Sequence, residues 1–528
     1  MTAQPAPDAP RGPLPMPGID PGLAHAASAL TVADHFAARV RLAPDRPAVA
    51  DGRLALSYAQ LDERAARLAG ALAARGVARG DRVAVLAENR GEFLELFLGC
   101  ARIGAIACCQ NWRLADEELR HCLGLVAPTL LLASPRFAET AGRVAPQGCA
   151  ALAYGDAYEA ALAEARPAPA DPNVDPEDGL LILYTSGTTG LPKGALISHR
   201  AEIARAMVAA TDLPTGPEDG FVAWAPLFHM ASADTALATL MRGGKVMVMD
   251  GFDAPALAEI VSRERIGRLT LMPGAIQPFI DAMAAQGLPA AGVKYAGVMA
   301  DLVPRDQIAA VTRLLDAPYL NTFGATETGS TPVSAGMIPV GARPERLDKT
   351  LNTWCRTRLV DADDNEVADG EPGEMAVRGP TLFSGYWNNP EANAKDFRGG
   401  WFHMGDMFVR NPDGTLSFVD RSKYLIKSGG ENIYPAEIER VLLADPRVYD
   451  ACVVRKADAR WGETPVAFVA LNPGAEATEA EIIASFDGRI ARYKRPSAVR
   501  FVEDADLPRS TTGKIKRHEL EERLREGG

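Results

Sequence analysis

The chain has 528 residues and a formal net charge of −12, with 47% hydrophobic and 23% charged residues. At roughly 100–200 residues per domain this length predicts about two to four domains, and it buries ample core without covalent staples. The acidic balance argues against nucleic acid as a partner, no apolar run approaches the roughly 20 residues that insert in a membrane, and seven cysteines without framework spacing exclude a disulfide scaffold.

Residues 1–28 are rich in Pro, Ala and Gly and lack the charged and apolar regions of a secretion signal. They read as a mobile leader, and the expected location is cytoplasmic, with reduced thiols. Cys108 and Cys109 read as small buried packing residues. Leu61, Ala65, Leu68 and Leu72 fall at helical spacing after Ser57 and Tyr58. Val83–Leu86, Leu130–Leu132, Leu180–Leu183, Val246–Met249 and Leu269–Met272 read as buried strands with crossover helices between them. Uniformly apolar strands alternating with helices predict an α/β fold of parallel sheets covered on both faces.

The texture changes after about Leu351. Turn signals at Asp363-Asp364-Asn365, Gly370-Glu371-Pro372-Gly373 and Pro412-Asp413-Gly414 separate short strands, with a hairpin over 410–418. A small antiparallel, barrel-like subdomain is expected there. From about Asp420 a separate α+β domain is expected, with a helix over 435–443, strands at 452–454 and 466–469, and a charged helix at the end. The expected division is a leader over 1–28, a large domain over 29–420 and a small mobile domain over 421–528.

The segment from Tyr184 to Gly194 follows a buried strand and packs Thr185, Ser186, Gly187, Thr188, Thr189, Gly190 and Lys193 together. Glycines let backbone N–H groups approach an anion, hydroxyls donate hydrogen bonds, and lysine supplies positive charge. That is the chemistry of a polyphosphate cradle. It is not the loop of P-loop NTPases, which needs Gly-Lys followed at once by Ser or Thr.

This segment resembles the signature of the superfamily of acyl-CoA synthetases, peptide-synthetase adenylation domains and luciferases. The resemblance covers nearly the whole chain after the leader, with later motifs in the family's order. It implies an ATP-dependent carboxylic acid:CoA ligase that works through an acyl-adenylate, with ATP, Mg²⁺ and coenzyme A as cofactors. Two alternatives stay open: loading of a carrier protein rather than CoA, and a non-catalytic nucleotide-binding sensor.

In Asn321-Thr322-Phe323-Gly324-Ala325-Thr326-Glu327 the resemblance implies that Glu327 holds Mg²⁺, Thr326 contacts the α-phosphate and Phe323 stacks on adenine where tyrosine is usual. Gly324 lies in the same motif. Asp406, in Gly400-Trp401-Phe402-His403-Met404-Gly405-Asp406, would bind the ribose with Arg421. Lys423 would be the hinge. Ser428, Gly429 and Gly430 would line the pantetheine path, and Trp461 and Lys494 would face CoA. Lys514 matches the catalytic lysine, whereas Lys516 and Arg517 read as solvated. His229 would gate the acyl and pantetheine sites, with Thr185 and Glu327 sharing the catalytic role.

The expected acyl pocket comprises His229, Met230, Asp234, Ala296 and Gly297, with Gly297 also against adenine. The usual proline near Gly297 is replaced, with Ala300-Asp301 in that region. Small residues at Ala231, Ala233, Gly274, Ala275, Ala296 and Gly297 leave room for an aromatic or medium-length acid. Asp234 would suit a polar acid if it enters the pocket, with surface exposure as the alternative. The expected partner is a small carboxylic acid, with a homodimer as a family-level expectation.

Overall fold

Short apolar strands cannot face water on either side, and the chain buries them in two mainly parallel sheets. The computed structural model describes residues 17–18, 20–185, 191–428, 431–509 and 515–526. Contacts divide the chain into two units, Met1–Thr357 with Val377–Phe402, and Arg358–Ala376 with His403–Gly528.

In the first unit, one sheet has eight strands in the order 337–338, 319–320, 293–296, 266–269, 220–223, 246–248, 47–50, 55–57. Its six inner strands are parallel and its two edges antiparallel. The second has seven strands in the order 385–386, 193–198, 179–185, 106–109, 82–86, 130–133, 150–153. Its last five are parallel, and the hairpin of Gly179–Thr185 with Lys193–Ser198 adds an antiparallel edge. The helix Tyr58–Ala74 starts where expected, capped by Ser57. Cys108 and Cys109 are buried in the strand Ile106–Cys109, and burial pushes both thiols up.

Within the leader, Asp20 caps a helix at Pro21–Ser28. Two expectations change here. The strand expected at Leu269–Met272 is Ile266–Leu269. An apolar run misses it because Gly267 and Arg268 interrupt the strand, and Arg268 lines a cavity. The antiparallel region is not barrel-like among the described residues. It is an open four-stranded sheet in the order 356–360, 372–378, 402–410, 416–421.

The second unit also holds a five-stranded sheet in which Val448–Asp458 and Gly462–Leu471 pair antiparallel. The helix Pro435–Leu442 packs Ile438 and Leu442 into its core. Arg517 is not solvated. It lies 2.7 Å from Glu439 and donates to the Val453 carbonyl, so the last helix, Arg517–Glu526, begins on a partly buried ion pair. Lys516 is exposed and pairs with Glu519. Among the described residues no helix is long and apolar enough to cross a membrane.

His199 opens the helix His199–Thr211 and is fully buried. Its Nδ1 accepts the Val32 N–H at 3.2 Å, while Nε2 has no partner. Burial pulls its pKa down to about 4 from 6.5. Between these values the unfolded chain binds a proton that the folded chain does not. Stability is therefore complete above the unfolded value and falls by ~3 kcal/mol as pH drops toward the folded one. Urea titrations across that window should show a shallower acid limb for His199→Gln than for wild type. Parallel limbs would exclude His199 as the cause.

Candidate active site

The glycine-rich segment joins two antiparallel strands, and Thr185 pairs with Lys193 across its base. Ser186, Gly187, Thr188, Thr189 and Gly190 lie outside the described residues. The Thr185 Oγ1 is buried without a hydrogen-bond partner, a polar group that burial penalises unless a ligand meets it. Lys193 Nζ sits 3.6 Å from the centre of the Tyr386 ring and 3.7 Å from Asp396 Oδ2. Tyr386 pairs with Ala195 at the sheet edge and donates its hydroxyl to Glu327 Oε1 at 2.7 Å. A cation, an aromatic face and a nearly buried carboxylate thus converge next to an unpartnered hydroxyl.

Glu327 lies in a tight turn between Gly324–Ala325 and Gly329–Pro332. A Cβ on Gly324 would lie 2.0 Å from the Gly329 carbonyl, so the turn needs glycine there. The Thr328 hydroxyl accepts the Ala325 N–H and donates to the Thr331 carbonyl. The Thr326 carbonyl accepts from Arg205 at 3.0 Å, and the Glu327 carbonyl accepts the Phe383 N–H. Phe323, just before the turn, is itself largely buried. Among the described residues no group of three or more His, Cys, Asp or Glu could hold a metal ion. A lone carboxylate fits magnesium, which is ordinarily held by one or two carboxylates plus substrate phosphates.

Sequence reasoning missed Lys349, which is fully buried. Its Nζ lies 2.6 Å from Asp301 Oδ2 and 2.7 Å from Asn321 Oδ1. The Asn321 amide also donates to the Leu347 and Asp348 carbonyls. Through Lys349, Asp301 is tied to Asn321, just before the Phe323–Glu327 segment. Gly297 has φ +109, and a Cβ there would meet the Tyr319 ring at 2.5 Å. Ala296 is buried in the strand beside it.

His229 caps the helix Met230–Arg242, accepting the Ala231 N–H at Nδ1. The loop before it is held by Asn89, also missed. The Asn89 amide nitrogen lies 2.8–3.2 Å from the carbonyls of Ala223, Trp224, Ala225 and Met249, and its Oδ1 accepts the Leu227 N–H.

Asp234 is not a surface residue. It is buried, 3.0 Å from Arg205 Nη1, and it lines a cavity of about 30 Å³. His229, Met230, Ala296 and Gly297 do not line that cavity, nor do Ala231, Ala233, Gly274 and Ala275. Of these, Ala233, Ala275, Ala296 and Gly297 are buried. The only sequence signal for this cluster was Glu202 and Arg205, two charges three residues apart on an otherwise apolar helical face.

In the second unit, Asp406 and Arg421 face each other on paired strands, Nε to Oδ1 at 3.0 Å. Asp406 is 1% exposed, so its carboxylate is shielded while the arginine reaches outward. The Lys423 carbonyl accepts from Arg455 at 2.6 Å. Ser428 pairs with Gly462, and Trp461 is exposed with Arg460 stacked on its ring at 4.6 Å. Lys494 is bonded to Glu437 at 2.6 Å and, with Arg440 and Arg489, lines an open groove of about 430 Å³. Gly429, Gly430 and Lys514 lie outside the described residues. Ile515, following Lys514, pairs with Arg509.

The family described as AMP-binding enzyme matches residues 36–387, and the AMP-binding enzyme C-terminal domain matches residues 437–514. An indoleacetate–CoA ligase from Aromatoleum aromaticum is 36% identical, over 91% of this chain and 95% of its own length. A feruloyl-CoA synthase from an Amycolatopsis species is 34% identical, over 92% and 97%. The solved structure of o-succinylbenzoate CoA synthetase from Bacillus subtilis, in complex with its acyl-adenylate intermediate, has a TM-score of 0.81 and 25% identity, covering 92% of this chain and 97% of that one. The chain belongs to the AMP-binding enzyme family, among the adenylate-forming acyl- and aryl-CoA ligases.

Proposed function

We propose that this protein joins a small organic acid to coenzyme A in two steps, with its residues in the roles that follow. A carboxylate oxygen of the acid attacks the α-phosphorus of ATP. The bond from the α-phosphorus to the bridging oxygen breaks, pyrophosphate leaves, and a mixed anhydride of acid and AMP remains. The thiol of CoA then attacks the anhydride carbonyl, AMP leaves with the bond electrons, the thiol proton is released, and a thioester forms.

The observation that carries this reading is the convergence of Lys193, Tyr386 and Glu327 beside the unpartnered Thr185 hydroxyl. Two anions must meet in the first step, so fixed positive charge and alignment are the main catalytic requirements. Thr185, Ser186, Thr188, Thr189 and Lys193 would hold the departing phosphates, with the backbone at Gly187 and Gly190 approaching them. Thr326 would contact the α-phosphate, and Phe323, Gly324 and Gly297 would border the adenine. Glu327, held by Tyr386, is the residue that would bind Mg²⁺, whose charge would offset that of the phosphates.

Asp406 and Arg421 would take the ribose. Ser428, Gly429, Gly430 and Trp461 would lie along CoA, and the basic groove at Lys494 suits its phosphates. His229 would separate the acyl and thiol paths. Lys514 would neutralise charge in the first step and leave for the second as residues 421–528 turn about Lys423. The relatives' aromatic acids support an aryl or arylalkyl acid as one substrate class.

Acid-dependent ATP–pyrophosphate exchange followed by CoA-dependent AMP release tests the reaction. A purified protein that supports neither with any acid overturns it, and acyl transfer to a carrier protein but not to CoA would change the acceptor. Lys514→Ala should abolish adenylate formation yet spare thioester formation from supplied adenylate. Equal loss of both in single-turnover assays would remove the two-position role. Tyr386→Phe should raise the Mg²⁺ needed for half-maximal AMP release by about tenfold, since residues that orient a metal ligand typically carry that much affinity. An unchanged Mg²⁺ titration would detach Tyr386 from metal binding.

A further inference from the structure

The cavity beside Asp234 is built for charge, and its charges do not balance. Arg205, Arg242, Arg268 and Asp234 all line it, three cations against one carboxylate. Arg205 is satisfied: it pairs with Asp234 and donates to the carbonyls of Thr381 and Thr326. Glu202 also lies on Arg205, at 3.8 Å, and does not line the cavity. Arg242 and Arg268 are different. Each has a buried Nε without an acceptor, and neither forms an ion pair among the described residues. Arg242 makes one side-chain bond, to the Thr239 hydroxyl at 3.3 Å. Asp219, a nearby carboxylate, is taken by the Gly216 N–H and Arg265. Tyr295, paired with Arg268 on the neighbouring strand, is a buried phenol lining the same space.

Arginine cannot shed its proton to escape burial, so an unpaired guanidinium at a cavity wall calls for an anion. About 30 Å³ is room for roughly two waters, or for one carboxylate group. Two walls of the cavity continue from segments of the candidate active site. One wall is the helix that begins at His229, through Asp234 and Thr235. Another is Ser330 and Thr331, which follow directly on the Thr326–Glu327 turn.

We propose that this cavity binds a second carboxylate of the acid, held by Arg242 and Arg268 with the Tyr295 hydroxyl, and that the enzyme selects dicarboxylic acids. This rests on the adenylation reading: one carboxylate reacts while the other is anchored. Arg205 and Asp234 neutralise each other and hold the wall in place.

The test is ATP–pyrophosphate exchange with matched pairs of acids of graded length, aliphatic and aryl-linked, each pair differing only in a terminal methyl or carboxylate. The best diacid should exceed its matched monoacid at least about tenfold in kcat/KM, since a site built for a polar group rejects the analogue lacking it. Arg268→Met should cut that ratio by about tenfold or more, chiefly through KM, and Arg268→Lys should restore part of it. If Arg268→Met fails to fold, the wild-type ratio and Arg268→Lys still decide. Exchange that proceeds equally well or better with monoacids overturns the dicarboxylate inference alone. Absence of exchange with every acid overturns the adenylation reading, and this inference with it.

Discussion

The hydrogen bond from Tyr386 to Glu327 is the contact around which the first unit's site is arranged. It ties the turn after Phe323 to the edge strand Gly385–Tyr386, and that strand pairs with Lys193–Ser198. The same phenol ring carries Lys193 on its face. A single aromatic side chain therefore sets where a cation and a carboxylate stand, with the ring between them. Cation–π contacts of this kind are worth roughly 0.5–2 kcal/mol. Keeping Lys193 on the ring leaves its charge available to phosphate, because the nearest carboxylate, Asp396, is at the edge of ion-pair range.

The elements that carry the motifs were legible because their signals are local. Hydroxyls, glycines and a lysine after an apolar strand mark the hairpin at Thr185–Lys193, and a Gly–x–Thr–Glu run marks the turn at Glu327. Helical spacing gave the Tyr58–Ala74 helix and apolar alternation with helices gave the parallel sheets. The groups that position these motifs were not legible, because their partners come from distant sequence. Tyr386 meets Glu327 across 59 residues, and Lys349 meets Asp301 across 48. Asn89 reaches Ala225 across 136. No spacing rule reports such pairs.

Charge misled the reading in both directions. Arg517 looked solvated because a charged helix follows it, yet Glu439 draws it into the fold. Asp234 left burial and exposure equally open because carboxylates are rarely buried unless paired, and Arg205 supplies the pair. Arg268 hid a strand by breaking its apolar run. In each case a tertiary partner or a cavity, absent from the local pattern, outweighed the side chain's usual preference for water. The cavity beside Asp234 shows the same effect, lined as it is by Arg205, Arg242 and Arg268.

Asn89 gives the loop before His229 a particular chemical weakness. Its amide nitrogen has four carbonyl oxygens around it, and only its oxygen faces a donor. Spontaneous deamidation would turn that nitrogen into an oxygen pressed against the four carbonyls, relieved only by taking up a proton or by opening the loop. An ageing preparation would then lose the order of the loop before His229 at one asparagine while both sheets stayed intact.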